Sequence, residues 1–104
     1  MFQLRTYTLA NQEAAQTYLG MHWERHLESL PKFGIKVHGV FAVKDKAQVI
    51  ALVSYQEGAN ISEINDTYMK SPEFRSDMEG FDMKNIKGVD TILLEAAVCF
   101  PFVK

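Results

Sequence analysis

Two histidines in the first half of the chain, His22 and His26, have the spacing of a chemical site. They lie four residues apart in a segment with helical periodicity, and residues at this spacing share one face of a helix. The pair could ligate a metal or act as an acid and a base near neutral pH. It could equally hydrogen-bond to tyrosine or backbone groups and affect only packing. Because Trp23 follows His22 directly, the segment lacks the His-Glu-x-x-His pattern of zinc proteases, and we expect no metal.

Arg5 and Tyr7 form a second candidate group near the N-terminus. Side chains two residues apart in a strand point to the same side, so an arginine that binds a carboxylate or enolate would lie beside a tyrosine that donates a proton. The alternative is an ion pair between Arg5 and Glu95 on a neighbouring strand. Tyr18 and Tyr55 complete the candidates for a ligand pocket. For His38 we expect a packed or rim position rather than one in that pocket.

The region from residue 68 to residue 83 is rich in aromatic and methionine side chains. Such residues adapt to irregular ligands, but at helical spacing they are more often ordinary core. The set comprises Tyr68, Met69, Phe74, Met78, Phe81 and Met83. The acidic residues in the same region, Asp77, Glu79 and Asp82, are predicted to be solvated.

Composition and motifs exclude several classes of function. The net charge is −2 and basic residues are scattered, which argues against nucleic acid as a partner. Neither an apolar run long enough for a membrane helix nor a signal-peptide pattern is present, so a cytoplasmic location with no membrane partner is expected. Cys99 is the only cysteine and is predicted to be a packed thiol. Phosphate-binding loops and nucleophile elbows are absent, and no cofactor is expected.

These side chains must be positioned by a small set of strands and helices. A first strand is predicted over residues 2–9, followed by a long amphipathic helix over 13–30 that Asn11 caps and that Pro31 and Gly34 end. The apolar stripe of this helix is Ala15, Tyr18, Leu19, His22, His26, Leu27 and Leu30.

The pattern of residues after Gly34 predicts a hairpin, a divided helix and a last strand. The hairpin joins 35–43 to 48–55. Ser71 and Pro72 have the types expected at a helix start, so the second helix should consist of two short pieces with a break near Lys70. The last strand is predicted over 91–100.

The order β, α, β, β, α, β is that of the ferredoxin-like α+β fold, a four-stranded antiparallel sheet with both helices on one face. With 104 residues, the chain is expected to form one domain, 1–104.

Apolar residues on both sides of two strands predict a homodimer. Residues 49–53 are continuously apolar, and 92–100 is interrupted only by Glu95. One subunit has no further element to cover the second face of its sheet, and a large exposed apolar surface marks an interaction site. We therefore expect two copies to pair through their sheet faces. The alternative is a monomer with a partly apolar open face.

The opening Phe2-Gln3-Leu4-Arg5-Thr6-Tyr7-Thr8-Leu9 resembles the start of the NIPSNAP-like family of dimeric α+β barrel proteins. Three further segments are similar to that family, with Gln3 in place of its usual acid: Gly39-Val40-Phe41, Leu52-Val53-Ser54-Tyr55 and Ser71-Pro72-Glu73-Phe74-Arg75. The resemblance implies a dimeric ferredoxin-like barrel and supplies no activity, because the wider fold includes cofactor-free monooxygenases, haem-degrading enzymes and proteins without catalysis.

Three functions remain open from the sequence. The first is a small-molecule site between sheet and helices, lined by the candidates above, that could oxidise an aromatic compound without a bound cofactor. The second is a non-catalytic binding or scaffold homodimer, whose side chains would be packed without a cavity. The third, haem binding, requires one histidine facing an open apolar slot.

Overall fold

A computed structural model of the chain describes residues 1–95 as a sheet covered on one side by helices. The strands are β1 (Phe2–Leu9), β2 (Ile35–Ala42), β3 (Gln48–Tyr55) and β4 (Ile86–Leu94). The helices are α1 (Gln12–Thr17), α2 (Trp23–Ser29), α3 (Ile61–Met69) and α4 (Pro72–Asp77). A π-helical turn, Tyr18–His22, joins α1 to α2 without a break, and 3₁₀ turns lie at Leu30–Phe33 and Met83–Asn85.

The sheet is antiparallel throughout and has the order β2-β3-β1-β4. This order and the βαββαβ succession confirm the predicted ferredoxin-like fold. In the central strands β1 and β3, buried and partly exposed residues alternate strictly. The alternation separates an inner face, against the helices, from an outer face, on which no element of residues 1–95 packs.

The predicted helix and hairpin boundaries follow from local chemistry. The Asn11 side chain accepts a hydrogen bond of 2.8 Å from the Ala14 N–H and starts α1. Gly34 has a φ of 82°, a left-handed conformation that ends the helical segment. The hairpin prediction is confirmed, with β3 at the predicted residues and β2 one residue shorter at its end.

The divided helix was also predicted correctly. Ser71 caps α4 by accepting from the Phe74 N–H at 3.1 Å, with Pro72 as the first helical residue. Asn60 caps α3 in the same way, through the Glu63 N–H at 3.0 Å.

The prediction for the last strand was wrong at its start. β4 begins at Ile86 rather than at residue 91, and Gly88 lies opposite Thr8 in the ladder. The weak strand propensity of glycine is overridden here by pairing along the whole of β1. The predicted end of this strand at residue 100 and the packed Cys99 lie outside the described residues. None of the helices within residues 1–95 has the length and apolar character needed to cross a membrane.

The apolar core lies between the inner face and the helical layer. Ile35, Val49, Ala51 and Val53 are completely buried on the sheet side. From the helical layer, Trp23 and Leu30 pack against them with at most 2% of their surface exposed.

The π-helical turn changes which side of the long helix faces this core. It places Trp23 five residues from Tyr18, with the Trp23 N–H bonded to the Tyr18 carbonyl. Trp23 is therefore buried, whereas Leu27, which was predicted on the apolar stripe, is 49% exposed. The predicted stripe was too wide on this side: the buried residues of α2 are Trp23, His26 and Ser29. Leu27 lies one residue, about 100° around the helix, beyond His26.

Candidate functional site

A cavity of about 580 Å³ lies between the inner face of the sheet and the helices. Its floor is formed by β1 and β4, and its walls by α2, α3 and α4. Four of the sequence candidates line it: Arg5, Tyr7, Tyr18 and His26.

The rest of the lining is mostly apolar. It comprises Gln3, Trp23, Leu30, Ile61, Ser62, Asn65, Tyr68, Met69, Phe74, Met78, Met83, Ile86, Val89, Thr91 and Leu93. For Tyr68, Phe74 and Met78, the sequence left open whether they would be core residues or ligand contacts. They pack in or against the core and also face the cavity, so both descriptions apply.

Arg5 is the centre of a buried polar network on the cavity floor. Its Nε donates to Gln3 Oε1 at 2.9 Å and its Nη1 to the Tyr7 hydroxyl at 3.3 Å. Its Nη2 donates to the Tyr55 hydroxyl at 2.7 Å and to Asn65 Oδ1 at 2.6 Å. All four acceptors are neutral, although Arg5 is only 8% exposed.

The network is closed by bonds among the acceptors themselves. The Tyr55 hydroxyl donates to Gln3 Oε1 at 2.7 Å, and Asn65 Nδ2 donates to the Tyr55 hydroxyl at 2.9 Å. Tyr55 therefore supports Arg5 without lining the cavity itself. Burial opposes the charged guanidinium, but the Tyr7 and Tyr55 hydroxyls outweigh it, and the pKa of Arg5 is raised above its ordinary value.

The predicted ion pair between Arg5 and Glu95 is wrong. In the ladder, Arg5 lies opposite Thr91, and Glu95 is four residues further along the chain. At about 3.3 Å per residue, this offset of roughly 13 Å takes Glu95 beyond the reach of Arg5.

A second buried network surrounds Asp77, at the end of α4. Its carboxylate accepts from Ser29 Oγ at 2.9 Å and from the Tyr68 hydroxyl at 2.5 Å, and His26 Nδ1 lies 3.4 Å away. The expectation of a solvated loop was wrong for Asp77, which is 5% exposed. The chain folds α4 against α2, so this carboxylate meets hydroxyl groups from two other helices.

The hydrogen bonds of Tyr68 define the state of His26. Because the Tyr68 hydroxyl proton is donated to Asp77, His26 Nδ1, 2.5 Å from that oxygen, must carry a hydrogen and donate it. Burial lowers the pKa of His26 to about 4, although Asp77 acts in the opposite direction. At neutral pH the ring is therefore uncharged, and Nε2 is its unprotonated nitrogen. Burial, together with Asp77, raises the pKa of Tyr68, which stays protonated.

His22 lies outside the cavity lining. Its Nδ1 donates to the Asp77 carbonyl at 2.8 Å, and its ring packs 5.0 Å from that of Phe81. Both histidines thus bond to tyrosine or backbone groups, as the packing alternative proposed. Within residues 1–95 no three histidine, cysteine or acidic side chains form a cluster suited to a metal.

His38 is exposed on the sheet side opposite the cavity, where its Nε2 lies 2.7 Å from Ser54 Oγ. It therefore lies outside the cavity lining, as expected.

Gln3, Asn65 and Trp23 are parts of the site that the sequence did not indicate. Gln3 shares the face of Arg5 and Tyr7 by strand periodicity, which was the signal available for it. No sequence signal marked Asn65 or Trp23, because their roles depend on how α3 and the π-helical turn pack on the sheet.

The fold and the cavity define a class: a ferredoxin-like α+β domain with a partly open cavity between its sheet and its helices. Within that class, the NIPSNAP family model matches residues 2–100. The chain belongs to the NIPSNAP family.

Solved structures of the same family are similar in fold. An uncharacterised NIPSNAP domain protein from Burkholderia xenovorans has a TM-score of 0.72 at 13% identity, over 94% of this chain and 96% of that one. A NIPSNAP protein of unknown function from Agrobacterium tumefaciens has a TM-score of 0.74 at 16% identity, over 98% and 92%.

The fold extends beyond that family. A structure described as an antibiotic biosynthesis monooxygenase matches with a TM-score of 0.59 at 11% identity, over 94% of this chain and 100% of that one. No functionally curated protein matches the sequence.

Proposed function

We propose that the protein binds a small molecule in the cavity between its sheet and its helices. The observation that carries the proposal is a space of about 580 Å³ with mostly apolar walls and a cluster of convergent polar groups at its floor. Pockets for organic ligands usually have this combination, because apolar walls supply affinity and a few polar groups fix orientation. The scaffold alternative expects these side chains to be packed against one another without a cavity.

The experiment uses a neutral fluorescent probe, N-phenyl-1-naphthylamine, and a variant that fills the cavity. Val89→Trp places a large ring at a lining position of β4, whereas Met21→Trp places the same ring at an exposed position of the π-helical turn. Probe emission should rise with the wild type and with Met21→Trp, and should be lost with Val89→Trp. Emission that is equal for all three proteins, or absent from the wild type, would refute the cavity as a binding site.

We also propose a homodimer formed through the outer face of the sheet. The proposal is supported by a row of apolar residues on this face, here called the apolar row. It runs across three strands, with Leu52 of β3, Leu4 of β1 and Ile92 of β4 as successive neighbours. Phe41 and Ile92 are each 58% exposed in the single chain. We propose a second copy of the chain as the partner, because the apolar row of its sheet would cover the apolar row of the first. Light scattering should give twice the 11.8 kDa of one chain; a folded particle of 11.8 kDa would contradict the dimer.

Oxygenation without a bound cofactor is a second candidate function. It is favoured by a neutral His26 on the same cavity as Arg5, since one could accept a proton while the other stabilises the resulting oxyanion. For a phenolic substrate, one atom of O₂ would enter the ring, the other would leave as water, and the substrate would supply all four electrons to give a quinone.

An oxygen electrode tests this activity with simple naphthols. Oxygen uptake that depends on the wild type and falls in His26→Asn, at an unchanged fraction of folded protein, supports it. Oxygen uptake no faster than in buffer would refute the oxygenase activity and would leave the proposed binding function intact.

A further inference from the structure

The buried arginine of the cavity floor has no counter-charge within residues 1–95. Arg5 is 8% exposed, and its four acceptors are two phenol hydroxyls and two side-chain amide oxygens. A buried charge is costly unless an opposite charge or a full set of hydrogen bonds compensates it. The pKa of Arg5 lies above its ordinary value, so the group cannot reduce this cost by losing its proton.

The other buried charged group does not pair with Arg5. Asp77 is bonded to Ser29 and Tyr68 and lies beside His26. Within residues 1–95 the one ion pair formed at neutral pH is Lys70 with Asp66, because His26 beside Asp77 is uncharged. The floor of the cavity therefore holds a positive charge that no contacting acid neutralises in the described part of the chain.

The guanidinium also has a donor to spare. A guanidinium carries five N–H groups, and its four hydrogen bonds to residues 1–95 use the one on Nε, both on Nη2 and one on Nη1. The second N–H of Nη1 has no acceptor among residues 1–95. Thr91 lies directly opposite Arg5 in the ladder and also lines the cavity, so its hydroxyl is a second donor at the same end.

The remaining walls indicate the rest of the ligand. Beyond the floor, the cavity is bounded by flexible and branched apolar side chains, among them Met78, Val89 and Leu93. An apolar body of aromatic size, with one acidic group at its end, matches this division into a cationic floor and apolar walls.

We propose that the ligand is an apolar acid whose carboxylate or enolate binds to Arg5 and supplies the missing counter-charge. The proposal rests on the cavity function above and adds the charge of the ligand. The ligand can supply this counter-charge because residue 3, the neighbour of Arg5 on the same face of β1, is a neutral glutamine. Its Oε1 accepts from Arg5 Nε, so a carboxylate at the same position would neutralise the arginine from within the chain.

Titration calorimetry with a pair of matched probes tests the proposal. The first probe is 2-naphthoate, and the second is 2-naphthalenemethanol, which has the same ring and no charge. The wild type should bind the acid about tenfold more tightly or better, as expected for a charge-assisted hydrogen bond in a buried site.

The decisive variant is Gln3→Glu, which supplies the internal carboxylate with almost no change of shape. It should lose most of the preference for the acid, measured as the ratio of the acid affinity to the alcohol affinity, and its melting temperature should not fall. Gln16→Glu, which adds the same charge at an exposed position of α1, should keep the preference.

Each outcome decides between the two proposals. Equal affinity of the wild type for acid and alcohol would overturn the anionic ligand and leave the cavity as a binding site. Undiminished preference in Gln3→Glu would also overturn it, because the anion would then bind elsewhere. Binding of neither probe would remove the cavity function itself.

Discussion

Two buried networks that both reach the cavity determine the chemistry of this protein. Arg5 remains charged and is surrounded by neutral acceptors, whereas His26 is held neutral beside Tyr68 and Asp77. The cavity thus combines a cation with an unprotonated base. The charge of Arg5 follows from its residue type, because a guanidinium stays protonated. The depressed pKa of His26 does not, since an exposed histidine would titrate near pH 6.5.

The neutral state of His26 predicts a pH-dependent stability. Its pKa is about 4 in the folded chain and about 6.5 when unfolded. Between these values the unfolded state binds more protons, so this contribution is complete above pH 6.5 and is lost as the pH falls towards 4. The loss should reach at most about 3–4 kcal/mol.

Urea unfolding at pH 7 and pH 5 measures this effect. His26→Asn can keep the donor to Tyr68 but cannot titrate, so its free energy of unfolding should fall less between the two pH values than that of the wild type. Equal falls would show that His26 is not the group responsible.

The carboxylate of Asp77 is predicted to stabilise the helical layer. In Asp77→Asn, an amide donor would face a hydroxyl donor from Ser29 or Tyr68, at a cost of about 1–3 kcal/mol. The same change at exposed Asp66, whose carboxylate pairs with Lys70 alone among residues 1–95, should alter stability by less than about 0.5 kcal/mol. Chemical denaturation of both variants gives the comparison, and similar values would contradict the structural role of Asp77.

At the scale of elements, the π-helical turn is the feature that aligns the two halves of the long helix. It lets Tyr18 of the turn and Trp23 and His26 of α2 all face the cavity. Such turns are rare and often occur at functional sites, which agrees with the position of this one beside the cavity.

Two glycines of the helical segment should respond in opposite ways to alanine. Gly20 lies in the π-helical turn with free space around its Cα, so Gly20→Ala should stabilise the chain by up to about 1 kcal/mol. Gly34 has a φ of 82°, so Gly34→Ala should destabilise it by about 1–2 kcal/mol. Thermal melts of the two variants give the sign of each stability change. A lower melting temperature for Gly20→Ala would mean that the π-helical turn requires glycine.

At the scale of the whole molecule, the two faces of the sheet have different surroundings. The inner face packs against the helices and forms the cavity, whereas the outer face carries an apolar row that no element of residues 1–95 covers. This division underlies the proposed homodimer, in which each subunit would keep its own cavity.

A dimer predicts that the melting temperature rises with protein concentration, because association stabilises the folded state by mass action. Ile92→Glu places a charge in the apolar row at a position already exposed in one chain, and should abolish this dependence. Met21→Glu makes the same change on the helical side, where 50% of the residue is exposed, and should preserve it. A melting temperature independent of concentration in the wild type would refute the dimer.

The sequence by itself determined the order of the elements, most of their boundaries and the fold. These depend on local signals, such as the Asn11 and Ser71 caps, Gly34 and strand periodicity, which act within a few residues. Of the six candidate residues, Arg5, Tyr7, Tyr18 and His26 line the cavity, because alternation and helical spacing had assigned them to the inward faces.

Only the tertiary structure decided the partners of those residues. The register of β1 against β4 separates Arg5 from Glu95, and the packing of α3 brings Asn65 to it instead. The packing of α4 on α2 buries Asp77 beside His26, and the packing of α2 on the sheet buries Trp23 while Leu27 stays exposed. Contacts of this kind join positions far apart in the chain, and their geometry depends on how whole elements pack, which no local pattern of residue types specifies.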